Sequence, residues 1–395
     1  MAQSKHRVIF FAYLFSVYGY LSINIGLPAY PALQHYFHTN ASQVKFSMTV
    51  FLFGYAIAQL FWGTLSDRFG RHKIILSANL VALVGSYLTA AATSMPLFIC
   101  GRFIEAIGVS YSVVISRAIL ADSCNKNAMQ IAVAWVLVII AIMPAVAPII
   151  GGSLLFWFNW QSAYYFLLGF GVLVLLSSKL WLQETCSKRV AKLSLPNIFS
   201  LYTSLVKNKK FMGYLLSYSI ILGGLLTFYV FASYLFINGL HISAHYYGYL
   251  LTLIGGAYIL GTMLTSFLTN KFSSQRILKL GYVMTLVPLV LLLIFLLARI
   301  FNPSTVIIPM MFYALGCGFI SPTSNALAMY SVADKERGSA AALLGSVVIV
   351  CSSLSSAITA KFAMDNLLAL GLFLFSLVVA AYCCLEVFSS FVDNK

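Results

Sequence analysis

The sequence predicts an all-α integral membrane protein with twelve membrane-crossing helices arranged as two six-helix bundles. Three observations carry that expectation. The chain is 61% hydrophobic and 8% charged, with a mean hydropathy of +0.94, far outside the range of soluble globular proteins. Its apolar runs are long rather than strictly alternating, and a backbone in lipid that does not form a barrel satisfies its own hydrogen bonds only as helix. At 395 residues there is room for about twelve spans of about 20 residues each.

The spans are expected at 8–30, 45–66, 74–94, 96–121, 129–152, 162–182, 211–237, 245–269, 277–298, 305–330, 339–361 and 367–388. The first follows Lys5 and Arg7 and resembles a signal peptide at first glance. It runs long, and no small-x-small site precedes Pro28, so it is expected to stay as a span. Between spans 6 and 7 lies the longest polar interruption, "QETCSKRVAKLSLPNIFSLYTSLVKNKK", with Lys188, Arg189, Lys192, Lys207, Lys209 and Lys210. It divides the chain into an N-terminal six-helix bundle over 1–182, a cytoplasmic linker over 183–210 and a C-terminal six-helix bundle over 211–395.

Orientation follows from the bases, because short loops rich in Lys and Arg stay on the cytoplasmic side. With the N-terminus inside, Lys5, Arg7, Arg68, Arg71, Lys73, Lys126, the linker set, Lys271, Arg276, Lys279, Lys335, Arg337 and Lys395 fall inside, and Lys45, Arg299 and Lys361 outside. Both termini are then cytoplasmic, in the inner membrane. The net charge of +15 is accounted for by topology and by anionic lipid headgroups, not by a nucleic-acid partner. The seven cysteines lie mostly inside spans and show no C-x-x-C spacing, so neither disulfide nor metal site is expected. No soluble catalytic domain is left over to house an enzyme, no cofactor is implied, and the chain is expected to be a monomer.

The loop between spans 2 and 3, "GTLSDRFGRHK" from Gly63 to Lys73, packs Asp67, Arg68, Arg71 and Lys73 into one tight turn. A positive-inside loop explains the bases but neither Asp67 nor the placing of Gly63 and Gly70, which allow a close helix approach and a sharp turn. Asp67 is suited to the positive N-terminal end of a helix, with that of span 11 near Gly338 as the expected partner. Asp122, at the inner end of span 4, lies at the same depth as Arg71 and is its expected partner. Such a cluster works as a gating latch, intact when the cytoplasmic side is closed. In span 5, Pro144, Pro148, Gly151 and Gly152 remove donors and side-chain bulk, bending the span and letting a neighbour come close.

The loop pattern G-x-L-S-D-R-x-G-R-x-K resembles the signature of the major facilitator superfamily. Arg102 with Gly108 is similar to that superfamily's span-4 motif, "AVAPIIGG" (Ala145 to Gly152) to the span-5 motif of its antiporters, and "LQETC" to the close of span 6 in many members. Within it, "LPAYP", "SRAILAD", "APIIGG" and "GSAAALLG" most resemble the Bcr/CflA group of drug efflux proteins. The second half lacks a clean copy of the signature loop, since "LTNKFSSQR" (Leu268 to Arg276) keeps only the bases. The resemblance implies a secondary active transporter that exports a small amphipathic molecule or drug by alternating access, coupled to protons, with the substrate near the bilayer midplane.

For that substrate the second half offers aromatic and polar groups rather than charges: Tyr214, Tyr218, Tyr229, Tyr234 and Asn238 on span 7, and Thr323, Ser324 and Asn325 on span 10. Tyr214 and Tyr234 suit an interfacial belt equally well. In the first half, Tyr55 and Gln59 share one face of span 2, and Asn24 and Arg117 complete the expected cavity set. The interior Arg102 and Arg117 favour an alternative, a dedicated exporter or importer of an anionic metabolite such as a carboxylate siderophore. A non-transporting receptor is a remote third.

The stretch "GRFIEAIG" places Arg102 and Glu105 three residues apart in an otherwise apolar or small run. Glu105 is the one acid of nine expected deep in the membrane, where an ionisable group is a functional hypothesis by default. A static i, i+3 salt bridge is the bland alternative. The Bcr/CflA resemblance weighs against it: relatives carry an acid in span 1 just before the Leu-Pro, where this chain has Asn24, and Gln where this chain has Glu105. Counting about 1.5 Å per residue from the outer ends of the two spans puts Asn24 and Glu105 at similar depth. The coupling acid is therefore expected at Glu105, with Arg102 as its partner.

Overall fold

The computed structural model describes residues 5–186, 202–269, 271–300, 302–332, 337–362 and 366–390. The linker bases Lys188, Arg189 and Lys192, and Asp334, Lys335, Glu336, Asp365, Asp393 and Lys395, lie outside the described residues. Among those described there is helix and no strand. Eleven helices among the described residues are long and apolar enough to cross a membrane: α1 Lys5–Tyr36, α2 Ala41–Phe69, α3 Arg71–Ala90, α4 Met95–Ser123, α6 Gln161–Trp181, α7 Lys209–Gly239, α8 Ala244–Leu268, α9 Ser274–Leu297, α10 Pro303–Tyr330, α11 Ala340–Ala360 and α12 Leu367–Phe388. A twelfth, α5 over Lys126–Trp157, passes the same test as a pair bent by 44° between Ile140 and Ile142.

Apolar composition sets where the helices run, and short polar side chains set where they begin. Asn40, Asn125, Asn208 and Asn302 each accept a hydrogen bond from the backbone N–H three residues on, at 2.9–3.1 Å, satisfying a donor that the first turn leaves orphaned. Asn302 and Thr305 form a reciprocal capping box. Pro96 and Pro303 stand in first turns, where the missing N–H costs nothing. The helices start earlier than the apolar runs do: α2 begins at Ala41, so Lys45, expected at the outer edge, lies inside the helix and is buried.

The breaks are as local as the starts. α1 runs as α-helix to Asn24, passes through a 3₁₀ turn at Leu27–Ala29 and resumes at Tyr30. Pro28 and Pro31 each remove a backbone donor there. The bend of α5 falls at the position whose carbonyl Pro144, four residues on, cannot bond. α7 ends in a π-helical turn, Leu235–Gly239.

The chain separates into two compact units, Met1–Ser194 and Leu195–Lys395. In the first, α1 packs on α4, α5 and α6, α4 packs on α2 and α3, and α3 packs on α6. In the second, α7 packs on α10, α11 and α12, α10 packs on α8 and α9, and α9 packs on α12. Adding six to each label of the first unit gives the second, a repeat of packing that the sequence carries only faintly. α3 and α4 approach at backbone distance: a Cβ on Gly85 would collide with the backbone of Glu105, and one on Gly108 with that of Ala82. That contact seats Glu105 against α3 at backbone distance.

Candidate functional site

Arg102 and Glu105 sit one turn apart on α4 and are essentially fully buried, at 2% and 0% exposure. Arg102 Nη1 donates to Glu105 Oε2 at 2.9 Å. Its Nη2 donates to the Ser22 carbonyl of α1 at 3.2 Å, an acceptor freed where α1 approaches its break. The guanidinium lies over the Phe51 ring of α2 at 3.8 Å and faces the Tyr164 ring of α6 at 5.6 Å. One cation is thus held by groups from four helices. Glu105 Oε1 and Arg102 Nε have no hydrogen-bond partner. The pair is half satisfied, with one carboxylate oxygen and one guanidinium nitrogen left over in a fully buried site.

Asn24 is buried two residues beyond Ser22, its Nδ2 donating to the Tyr20 carbonyl at 2.9 Å and its Oδ1 left unpartnered. Tyr55 and Gln59 are buried on the face of α2 that carries Phe51. Arg117 is half-buried, with its Nε unpartnered. The structure brings Arg102, Glu105 and the Ser22 end of α1 together. Asn24 turns its amide back onto its own helix rather than joining Arg102 and Glu105, which pair with each other. In the second unit Tyr218 and Asn325 are half-buried. Tyr214 and Tyr234 are 8% and 1% exposed, which corrects the interfacial-belt alternative: both are packed inside the unit. Tyrosine hydroxyls there bond the backbone, Tyr247 to the Tyr229 carbonyl at 2.9 Å and Tyr313 to that of Ile221 at 3.2 Å.

The second cluster lies at the α2–α3 turn. Gly70 has φ of 99°, a conformation that glycine adopts freely and a side chain resists, and it turns the chain sharply into α3. Arg71 then meets Asp67 at 2.5 Å and, through Nε, Asp122 of α4 at 3.0 Å. Its backbone N–H donates to Glu184 Oε1, beyond α6, at 2.9 Å, and Thr185 donates to Asp122 at 3.3 Å. Arg68 stacks on the neighbouring Phe69 ring rather than joining the cluster, and Gly63 faces Val114. Charges from the C-terminal ends of α2 and α4 and the segment after α6 converge on one arginine.

In α5, Pro148, Gly151 and Gly152 are buried and Pro144 is half-buried. A Cβ on Gly151 would strike the Ile25 carbonyl at the break of α1, so the motif docks α5 on α1 within its own unit. Sequence reasoning missed Phe51, Tyr164 and Glu184. Phe51 stands one turn before Tyr55 on the same face, a signal that was available. Glu184 meets Arg71 across 113 positions of chain, and its only signal was being the acid at the inner end of span 6.

Known proteins match this chain over most of its length. The sequence profile of the Major Facilitator Superfamily matches residues 9–356. An uncharacterized MFS-type transporter of Bacillus subtilis, YdgK, is 27% identical over 90% of this chain and 88% of its own. A bicyclomycin resistance protein homolog of Haemophilus influenzae is 26% identical over 93% and 92%. The multidrug resistance protein MdtL of Citrobacter koseri is 31% identical over 41% and 42%. Among solved structures, a D-xylose-proton symporter superposes with a TM-score of 0.80 at 16% identity, covering 96% of this chain and 97% of that one. This multi-pass membrane protein belongs to the Major Facilitator Superfamily, whose members are transporters and not enzymes.

Proposed function

We propose that the protein is a proton-coupled efflux transporter of the inner membrane, exporting a small amphipathic molecule or drug by alternating access, with both termini cytoplasmic. The observation that carries the coupling is the environment of Glu105. Among the described residues it is the only fully buried carboxylate, it shares one hydrogen bond with Arg102, and its second oxygen has none. A group so placed exchanges a proton when its surroundings change, and a buried acid inside a membrane bundle marks an ion path more often than a structural brace. Relatives named for bicyclomycin and multidrug resistance support a drug as cargo.

The test is transport in proteoliposomes with an imposed pH gradient, using bicyclomycin and the lipophilic cation ethidium as probes. Glu105→Gln keeps an oxygen for Arg102 and is expected to remain folded and to bind probe, yet to lose the gradient-driven component. Undiminished gradient-driven transport by Glu105→Gln overturns the assignment.

Arg117 supports a second reading. It is a half-buried cation with an unpartnered Nε on the same helix as Arg102, an arrangement suited to a carboxylate-bearing metabolite. Thermal stabilisation by citrate but not by ethidium, lost in Arg117→Gln, is the outcome that favours this reading over drug efflux.

A further inference from the structure

The first unit contains more buried polar oxygen than its hydrogen bonds consume. Tyr18 of α1, Ser86 of α3, Tyr55 of α2, and Tyr111 and Ser112 of α4 are 0–1% exposed, and none of their hydroxyls makes a hydrogen bond of good geometry. They are not scattered. Tyr18 faces Ser86 and lies within electrostatic reach of Glu105. Tyr111 lies within the same reach of both Tyr18 and Tyr55, and Tyr55 faces Ser112. The oxygens of Tyr55 and Ser112 both stand within 3.3 Å of the point where a Cβ on Gly19 would be, which places them side by side against the bare backbone of α1. Ser112 is seven residues beyond Glu105 on α4, about 10 Å toward the end that bears Asp122.

We propose that these hydroxyls form a proton path inside the first unit, leading from Glu105 toward the Asp122 end of α4, with single bridging waters closing the gaps between them. The proposal rests on the reading of Glu105 as the coupling acid. Buried hydroxyls that lie close to one another but are too poorly aligned to satisfy each other are the setting in which ordered water is held by two to four polar partners. In each hop an O–H bond to one oxygen breaks as an O–H bond to the next forms. The Glu105 carboxyl ends as carboxylate, each hydroxyl is left with the proton it received, and one proton appears at the far end. Around Glu105 the groups on the packed helices are Arg102 on its own helix, Tyr18 and Tyr30 on α1, Ser86 on α3 and Tyr164 on α6, with the apolar Phe51 of α2 behind Arg102. Of these, Tyr18 leads on toward Tyr111. Arg117, within electrostatic reach of Tyr55, puts a fixed positive charge near the far end that opposes a proton resting there and so limits uncoupled leak.

The experiment reads Glu105 directly, without a transport assay. The full chain in lipid is followed by time-resolved infrared spectroscopy after a pH jump, and the carboxylic C=O band that disappears in Glu105→Gln is assigned to Glu105. In Tyr18→Phe and in Tyr55→Phe the band is expected to reach the same final amplitude about tenfold more slowly, a barrier increase of about 1.4 kcal/mol, with a hydrogen/deuterium isotope effect on the rate. Should either phenylalanine variant fail to fold, Ser112→Ala removes a smaller group and is expected to slow the band in the same direction. A band that changes with pH at wild-type rate in the folded variants overturns the path and leaves the coupling acid standing. A Glu105 band that never changes with pH overturns both.

Discussion

At the scale of single residues, the Arg102–Glu105 pair is satisfied unevenly. Removing each ion from water costs several kcal/mol, and Arg102 recovers that cost through a carboxylate, a backbone carbonyl and an aromatic face. Glu105 recovers less, through one oxygen only. The asymmetry predicts that a negative charge is needed near Arg102 but not at one fixed atom. Asn24 is buried just beyond the Ser22 carbonyl that Arg102 holds. Asn24→Asp in the Glu105→Gln background is therefore expected to restore part of the pH-driven transport that Glu105→Gln loses. Proteoliposome flux across the wild type and the two variants checks this, and a double variant no better than Glu105→Gln alone refutes it. The pair itself was legible in the sequence, because i, i+3 spacing on a helix brings side chains together. Its shell was not: Ser22 acts through its backbone, which no side-chain pattern announces, and Tyr164 meets Arg102 only through the packing of α6 against α1 and α3.

At the scale of helices, two contacts position these residues, and each has its own signature on mutation. Gly85 lets α3 touch the backbone of Glu105. Gly85→Leu forces the two helices apart and is expected to destabilise by about 3 kcal/mol, seen as a lowered melting temperature in detergent. Gly169, on α6, meets nothing within 4 Å of an added Cβ, so Gly169→Ala is expected to leave melting unchanged or raised. Equal melting of the two variants contradicts the close packing of α3 on α4. The Arg71 cluster is a different kind of contact. The Asp67 side chain is 45% exposed, and a pair so open to solvent contributes about 0–1 kcal/mol. Asp67→Asn is then expected to leave melting nearly unchanged while abolishing transport, the outcome that a gating latch at this turn requires. Transport at wild-type rate by a well-expressed Asp67→Asn variant removes the latch. The helices were legible from apolar length, and their order from the loops between them. Their ends were less so, because capping side chains such as Asn40 and Asn302 extend helices past the point where hydropathy stops.

At the scale of the whole molecule, six helices and then six more pack in the same pairwise pattern, although the second half keeps only the bases of the signature loop. Packing repeats tolerate such drift because a helix pair needs small residues and apolar surface at a period, not particular side chains. The repeat was therefore nearly invisible in sequence, while the superfamily was visible in one loop whose charges and turn demand particular residues. That loop also fixes the last expectation, the orientation of the whole chain. Arg68, Arg71 and Lys73 flank the turn between α2 and α3, and Lys271 and Arg276 flank the one between α8 and α9, two turns that an alternating path of spans leaves on the same side. Bases in short loops hold that side to the cytoplasm. Asn40, between α1 and α2, then faces outward. Single cysteines placed at exposed Asn40 and exposed Ser273, in a background with the seven native cysteines replaced by serine, distinguish the two sides. Asn40→Cys gives up a helix cap at a cost of about 1 kcal/mol, small enough for the protein to remain inserted. A membrane-impermeant maleimide applied to intact cells is expected to label Asn40→Cys at once and Ser273→Cys only after the membrane is opened. Labelling of Ser273→Cys in intact cells inverts the topology, and with it the direction in which the Glu105 proton path would have to run.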